Sequence, residues 1–187
     1  MLRLLAALLV LTQLSGCAAA IVAGTVGTAM VVNDNRSVSS QMDDSTIELE
    51  VNAQLNKYND LTNQTRVSVT SINQQLLVVG QVPNQRLHEM ALGVIKQVGG
   101  ITKIHDQLRQ GTPLGMMARS HDSWITSNVK SRMLMDSELN SMRIKVVTEN
   151  NEVFLMGVVS REQADRAVDI ARNTAGVTKV VKIFEYL

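Results

Sequence analysis

The chain carries one cysteine, Cys17, and three histidines, His88, His105 and His121. These side chains are the best suited to nucleophilic or metal chemistry, and their spacing supports neither. No two histidines stand at metal-ligand separation, and no second cysteine can join them. No serine occupies a nucleophile elbow, and no glycine-rich loop resembles a phosphate cradle. Carboxylates are plentiful, but none lies in an apolar run that would raise its pKa. The residues argue against an enzyme and imply no metal and no cofactor. What remains is the Cys17 thiol, which nothing in the chain can pair with in an oxidising compartment.

The residues before Cys17 read MLRLLAALLVLTQLSG. Arg3 precedes an apolar stretch from Leu4 to about Leu14, and small residues follow. That is the layout of a secretory signal peptide, and the stretch is too short to span a bilayer. A second reading is an uncleaved anchor that takes in the Ala-, Gly- and Val-rich residues 18–32. Leu14-Ser15-Gly16-Cys17 resembles the bacterial lipobox. That resemblance implies cleavage before Cys17 and acylation of both its thiol and its new amine. Each buried acyl CH₂ contributes roughly 0.8 kcal/mol, and stable anchoring takes at least two signals, which two or three chains on Cys17 would supply. Ala18 rather than Asp follows the cysteine, which by the same resemblance favours the outer membrane.

Loss of residues 1–16 takes away Arg3 and no acid, leaving 17 basic against 17 acidic side chains. A neutral chain has no global attraction to nucleic acid or to anionic lipid, so any such binding must come from a local patch. One Trp, two Tyr and two Phe are too few for base-stacking surfaces. No nucleic-acid partner is expected.

Behind the leader the polar stretch NDNRSVSSQMDD (33–44) reads as a linker, and then the sequence repeats itself. DSTIELEVNAQL (44–55) aligns with DSWITSNVKSRM (122–133). RVSVTSINQQLLVVGQV (66–82) aligns with RIKVVTENNEVFLMGVV (143–159), and VGGITKI (98–104) with AGVTKV (175–180). Two copies about 77 residues apart indicate tandem small domains. Each opens with a helix, for which Asp44-Ser45 and Asp122-Ser123 supply N-cap types. Ile47, Val51 and Leu55, or Ile125, Val129 and Met133, recur every four residues. A hairpin follows, turning at Asn73-Gln74 or Asn150-Asn151, and its return strand is almost continuously apolar. Gly80 and Gly157 interrupt that strand at matching places, as a bulge or close backbone approach requires. A second helix and a last strand complete the α-β-β-α-β order. A right-handed crossover makes strands two and three parallel. The fold expected is α+β, with each domain a three-stranded mixed sheet and two helices on one face.

The repeat, its two strand glycines and the GVTKV-type ends resemble BON domains, and the pair behind a lipobox is similar to the dual-BON outer-membrane lipoproteins. The segmentation expected is a signal peptide at 1–16, a lipidated N-terminus and linker at 17–43, a first BON domain at 44–109, an inter-domain linker at 110–121 and a second BON domain at 122–187. The resemblance implies a non-enzymatic, lipid-anchored protein on the periplasmic face of the outer membrane. It implies association with anionic phospholipid (phosphatidylglycerol, cardiolipin), a role in envelope integrity at division sites, and a link to outer-membrane protein assembly.

The two first helices differ. The first carries Asp43, Asp44, Glu48 and Glu50; the second carries Lys130 and Arg132. Wound at 100° per residue, Trp124, Asn128, Ser131 and Met135 form a stripe about 140° from the core stripe, with Leu134 near one edge and Arg132 near the other. The first copy has Thr46 where the second has Trp124. Trp suits the lipid headgroup level, and Lys or Arg beside it can reach phosphates. Lipid contact therefore assigns Trp124, Asn128, Lys130, Ser131, Arg132, Leu134 and Met135. Packing of this stripe against the other domain explains the same residues. Arg143 and Lys145 point away from the core side of their strand and read as added basic surface or as solvated residues. A tethered protein-interaction scaffold, with the acidic Asp43–Glu50 stretch meeting a basic partner, is the competing function.

Overall fold

The structure is a computed structural model that describes residues 38–187, with side chains from residue 43 onward. The expected leader 1–16, Cys17 and most of the first linker lie outside the described residues, which belong to one compact unit spanning 32–187.

Both copies adopt the expected order. The first has α1 (Val38–Leu55), a short α2 (Asn59–Gln64), β1 (Arg66–Ile72), β2 (Gln75–Val82), α3 (Gln85–Ile95) and β3 (Lys103–Gln110). The second has α4 (Met116–Met135), a 3-10 turn (Ser141–Arg143), β4 (Ile144–Glu149), β5 (Glu152–Val159), α5 (Arg161–Arg172) and β6 (Lys179–Tyr186). In each sheet the second strand is central, antiparallel to the first and parallel to the third. Side-chain oxygens of Asn84 and Ser160 cap α3 and α5 by accepting from Leu87 N–H and Gln163 N–H, the usual N-cap bond.

Both first helices start earlier than expected, and the reason is local. Asp44 and Asp122 lie inside α1 and α4 and do not cap them. Asp44 instead accepts from Asn73 N–H and Gln74 N–H at 2.8 Å each and from the Ser71 hydroxyl at 2.7 Å. Asp122 accepts from Asn150 N–H at 2.8 Å and Asn151 N–H at 2.9 Å. All four turn residues have φ between +51° and +63°, as a two-residue type I′ hairpin demands. The carboxylate thus binds helix to hairpin in both copies. Residues 116–121, expected as linker, form the first turns of α4.

Ile47, Val51 and Leu55 are buried, as are Ile125, Val129 and Met133. Each helix pair covers one face of its own sheet, where Leu76, Val78 and Val82, or Val153, Leu155 and Val159, complete the core. The other faces of the two sheets meet each other. Ile72, Leu77 and Val79 cluster with Phe154, Met156 and Ile183 in a third core between the domains. This explains the nearly unbroken apolar runs of β2 and β5, since a strand buried on both faces has no polar side to show. The order of layers is helices, sheet, sheet, helices.

Polar pairs surround this interface. Arg66 meets Glu149, Arg109 meets Glu152 at 3.3 Å, and Asn73 Nδ2 donates to Glu185 at 2.8 Å. Lys145 is not a solvated surface cation: it pairs with Glu48 at 3.2 Å and donates to the Ser71 carbonyl at 2.6 Å. Glu48 accepts from Ser71 N–H. Both outward main-chain groups of Ser71 are thereby satisfied, so β1 offers no free main-chain group there to another strand.

Candidate functional site

The candidate surface is the outer side of α4. Its inner side is fixed by Ile125, Val129 and Met133, so the residues opposite must face outward. Trp124 is 51% exposed and takes no part in the inter-domain core. Its indole stacks on His121, with ring centroids 5.7 Å apart and planes inclined by 24°. His121 Nδ1 lies 2.9 Å from Asn151 Oδ1, so the β4–β5 turn holds the ring on which Trp124 rests. Asn128 is half-buried and Ser131 exposed. Met135 is 84% and Leu134 68% exposed.

The longer helix extends this surface. Met117 is 88% exposed and falls on the line through Trp124 and Met135, at intervals of seven and eleven residues. The line covers about 27 Å of helix. Met117 was hidden in sequence because it sits in the expected linker. Met142, in the 3-10 turn, is a second residue that helical periodicity could not reveal. It lies beside Leu134, and the two border a groove of about 200 Å³ lined also by Lys130, Met133 and Ile144.

The two expected cations have different surroundings. Lys130 is exposed and makes no ion pair among the described residues. Arg132 is engaged: its guanidinium donates to the Asn173 carbonyl and, at 3.2 Å, to Thr174 Oγ1. It closes the C-terminal end of α5, where a cation also meets the helix dipole favourably. The end of α4 is fixed by another bond. Arg166 Nε donates to both Asp136 oxygens at 2.8 and 2.9 Å and Arg166 also pairs with Glu138. The hydrogen bond from Arg166 holds the Asp136 carboxyl below its usual pKa. Met135 and Leu134 therefore project from a terminated, braced helix.

The matching helix of the first copy has a different face. Thr46, Glu50 and Asp43 are exposed there, together with Leu49. Among the described residues no group of His, Cys, Asp and Glu could hold a metal ion, and no helix is long and apolar enough to cross a membrane.

Residues 43–112 and 121–187 each match the BON domain. The chain is 38% identical over 174 residues to the outer membrane lipoprotein DolP of Haemophilus influenzae, covering 93% of this chain and 90% of that protein. It is 40% identical over 154 residues to a 21 kDa hemolysin of Actinobacillus pleuropneumoniae, covering 82% and 79% of the two chains. It is 34% identical over 146 residues to osmotically-inducible protein Y of Escherichia coli, covering 76% and 72%. Two matches in tandem, over the same residues that fold as two α-β-β-α-β units, establish that the chain belongs to the BON-domain family.

Proposed function

We propose that this chain is a non-enzymatic lipoprotein of the outer membrane, anchored through acylated Cys17 on the periplasmic face. In this reading it binds anionic phospholipid through α4 and supports envelope integrity at division sites. The similarity to a protein named outer membrane lipoprotein supports the location. The observation that carries the lipid reading is the exposed line Met117, Trp124 and Met135 on a helix that contributes no residue to the inter-domain core.

The energies suit a reversible contact. Partial burial of Trp124 and one or two neighbours gives a few kcal/mol at about 25 cal/mol per Å². Lys130 near an anionic surface adds about 1 kcal/mol. Such binding is weak for a free domain. Tethering through Cys17 raises the effective lipid concentration enough to make it a sensor of local lipid content. Arg132 contributes less than a free cation, because its Nη1 is held at the end of α5.

The test is sedimentation with vesicles. The chain from residue 17 onward, carrying Cys17→Ser, is expected to pellet with phosphatidylglycerol or cardiolipin vesicles and not with phosphatidylcholine. Lys130→Glu should weaken pelleting, and high salt should abolish it. Equal pelleting with both lipids, or with neither, would contradict the reading.

The second reading is a tethered scaffold for outer-membrane protein assembly or cell-wall remodelling. The exposed carboxylates Asp43 and Glu50 on α1 favour it, since they suit a basic protein partner. Capture of a detergent-extracted assembly complex without vesicle binding would select this reading.

A further inference from the structure

Where β3 leads into α4, the chain crosses a cavity of about 330 Å³ in the first domain. Leu55, Leu61 and Val67 supply apolar walls, and Leu114 of the crossing segment supplies another. Leu114 is held there by its N–H, which donates to Gln81 Oε1 at 3.0 Å. Arg66 and Arg119 line the same space, and no Asp or Glu does.

The two arginines differ in a useful way. Glu149 occupies Nε and Nη2 of Arg66, leaving the Nη1 hydrogens to a ligand. Arg119 is exposed, and its guanidinium has no hydrogen-bonding or ionic partner among the described residues. Both arginines also line an adjoining cavity of about 270 Å³ with Ser123 and Thr126, whose hydroxyls donate to the Arg119 carbonyl and to Thr148 Oγ1. Asp122 is present there too, but Asn150 N–H and Asn151 N–H occupy its oxygens. The two arginines thus stand between two polar-walled cavities, one of which also carries the apolar walls of Leu55, Leu61, Val67 and Leu114.

The second domain shows that this polarity is not demanded by the fold. Its corresponding groove has Leu134 and Met142 where the first has Asn56 and Thr65. One copy of the duplicated groove is mainly apolar, with Lys130 and Ser141 among its lining residues, and the other combines apolar walls with Asn56, Thr62, Thr65 and two arginines. That composition matches a ligand with one apolar part and one anionic head, because a few placed polar groups in an apolar pocket set orientation and specificity.

We propose that this cavity is a second binding site, separate from α4's outer line, for an anionic amphiphile: a carboxylate or phosphate head on a compact apolar group. Its head group lies between Arg66 and Arg119, and its apolar group lies against Leu55 and Leu61.

The experiment is amide-resolved NMR titration of the chain from residue 17 onward carrying Cys17→Ser. The probes are octanoate and octyl phosphate below their micellar concentrations, with inorganic phosphate and octyl glucoside as the head-only and neutral arms. Saturable shifts at Thr62, Thr65 and Leu114 with one or both anionic amphiphiles are expected, and the arm that binds identifies the head. Inorganic phosphate should bind about tenfold more weakly, and Arg119→Gln should raise the Kd about tenfold. The amide spectrum of Arg119→Gln should otherwise be unchanged. Shifts confined to α4 around Trp124, equal binding of octyl glucoside, no saturable binding of either anion, or no effect of Arg119→Gln would each overturn the proposal.

Discussion

Arg66 and Glu149 join the two domains by a pair of hydrogen bonds of 3.1 and 3.2 Å. The Glu149 side chain is 7% exposed, and Gln81 Nε2 donates to the same carboxylate at 2.8 Å. Gln81 Oε1 in turn accepts from Leu114 N–H. One buried carboxylate therefore ties together both sheets and the segment that connects them.

Loss of one partner should be costly, because it leaves a charge in the interface without compensation. Arg66→Met is expected to lower stability by about 3 kcal/mol. Glu149→Gln, which keeps an acceptor, should cost about 1–2 kcal/mol. Urea unfolding followed by circular dichroism measures both, and wild type should unfold in a single transition because the domains share a core.

A methyl group at Gly80 would overlap the Arg66 carbonyl, and one at Gly157 would overlap the Arg143 carbonyl. Gly80 also has φ of +129°, a region closed to side-chain-bearing residues. Gly80→Ala should therefore be the more damaging of the two. A cost above about 3 kcal/mol is expected for it, read as a lower thermal midpoint than that of Gly157→Ala.

Asp44 and Asp122 bind their hairpin turns alike, but Asp44 also accepts from the Ser71 hydroxyl. Asp44→Ala should cost about 2–3 kcal/mol and exceed Asp122→Ala, since it also leaves the buried Ser71 hydroxyl without its acceptor. Amide exchange would report the damage locally, with Asn73 and Gln74 losing protection in the first variant and Asn150 and Asn151 in the second.

His105 gives the first domain a pH dependence. Burial, with Lys103 nearby, lowers its pKa from 6.5, and its Nε2 lies 2.8 Å from Gln75 Oε1. A depressed folded-state pKa means that the unfolded chain takes up the proton first. The contribution is fully present above pH 6.5 and is lost as pH falls through the lower folded-state value. His105→Gln should flatten that part of the stability profile, measured by urea unfolding at a series of pH values.

Much of this architecture is legible in the sequence because the copies report the same pattern twice. The four-residue spacing of Ile47, Val51 and Leu55 and the matched Gly80 and Gly157 state the fold locally. The helix starts were not legible. Asp44 and Asp122 have the chemistry of an N-cap, and only the folded hairpin shows that their carboxylates serve the turn. The inter-domain core was half legible: unbroken apolar β2 and β5 require a cover on each face, but sequence does not name the cover. Lys145 illustrates the same limit, since its partner Glu48 is 97 residues away. At the candidate surface the Trp124 stripe follows from helical angle. Met117 and Met142 do not, because one lay in an expected linker and the other lies outside any α-helix.

Trp124, the only tryptophan, offers the most direct measurement. The chain from residue 17 onward with Cys17→Ser is titrated with phosphatidylglycerol and with phosphatidylcholine vesicles while its fluorescence is recorded. A blue shift with phosphatidylglycerol alone, reversed by salt, is the expected result and puts the indole at the lipid interface. Emission that stays unchanged through the phosphatidylglycerol titration would contradict α4 as the membrane-binding element.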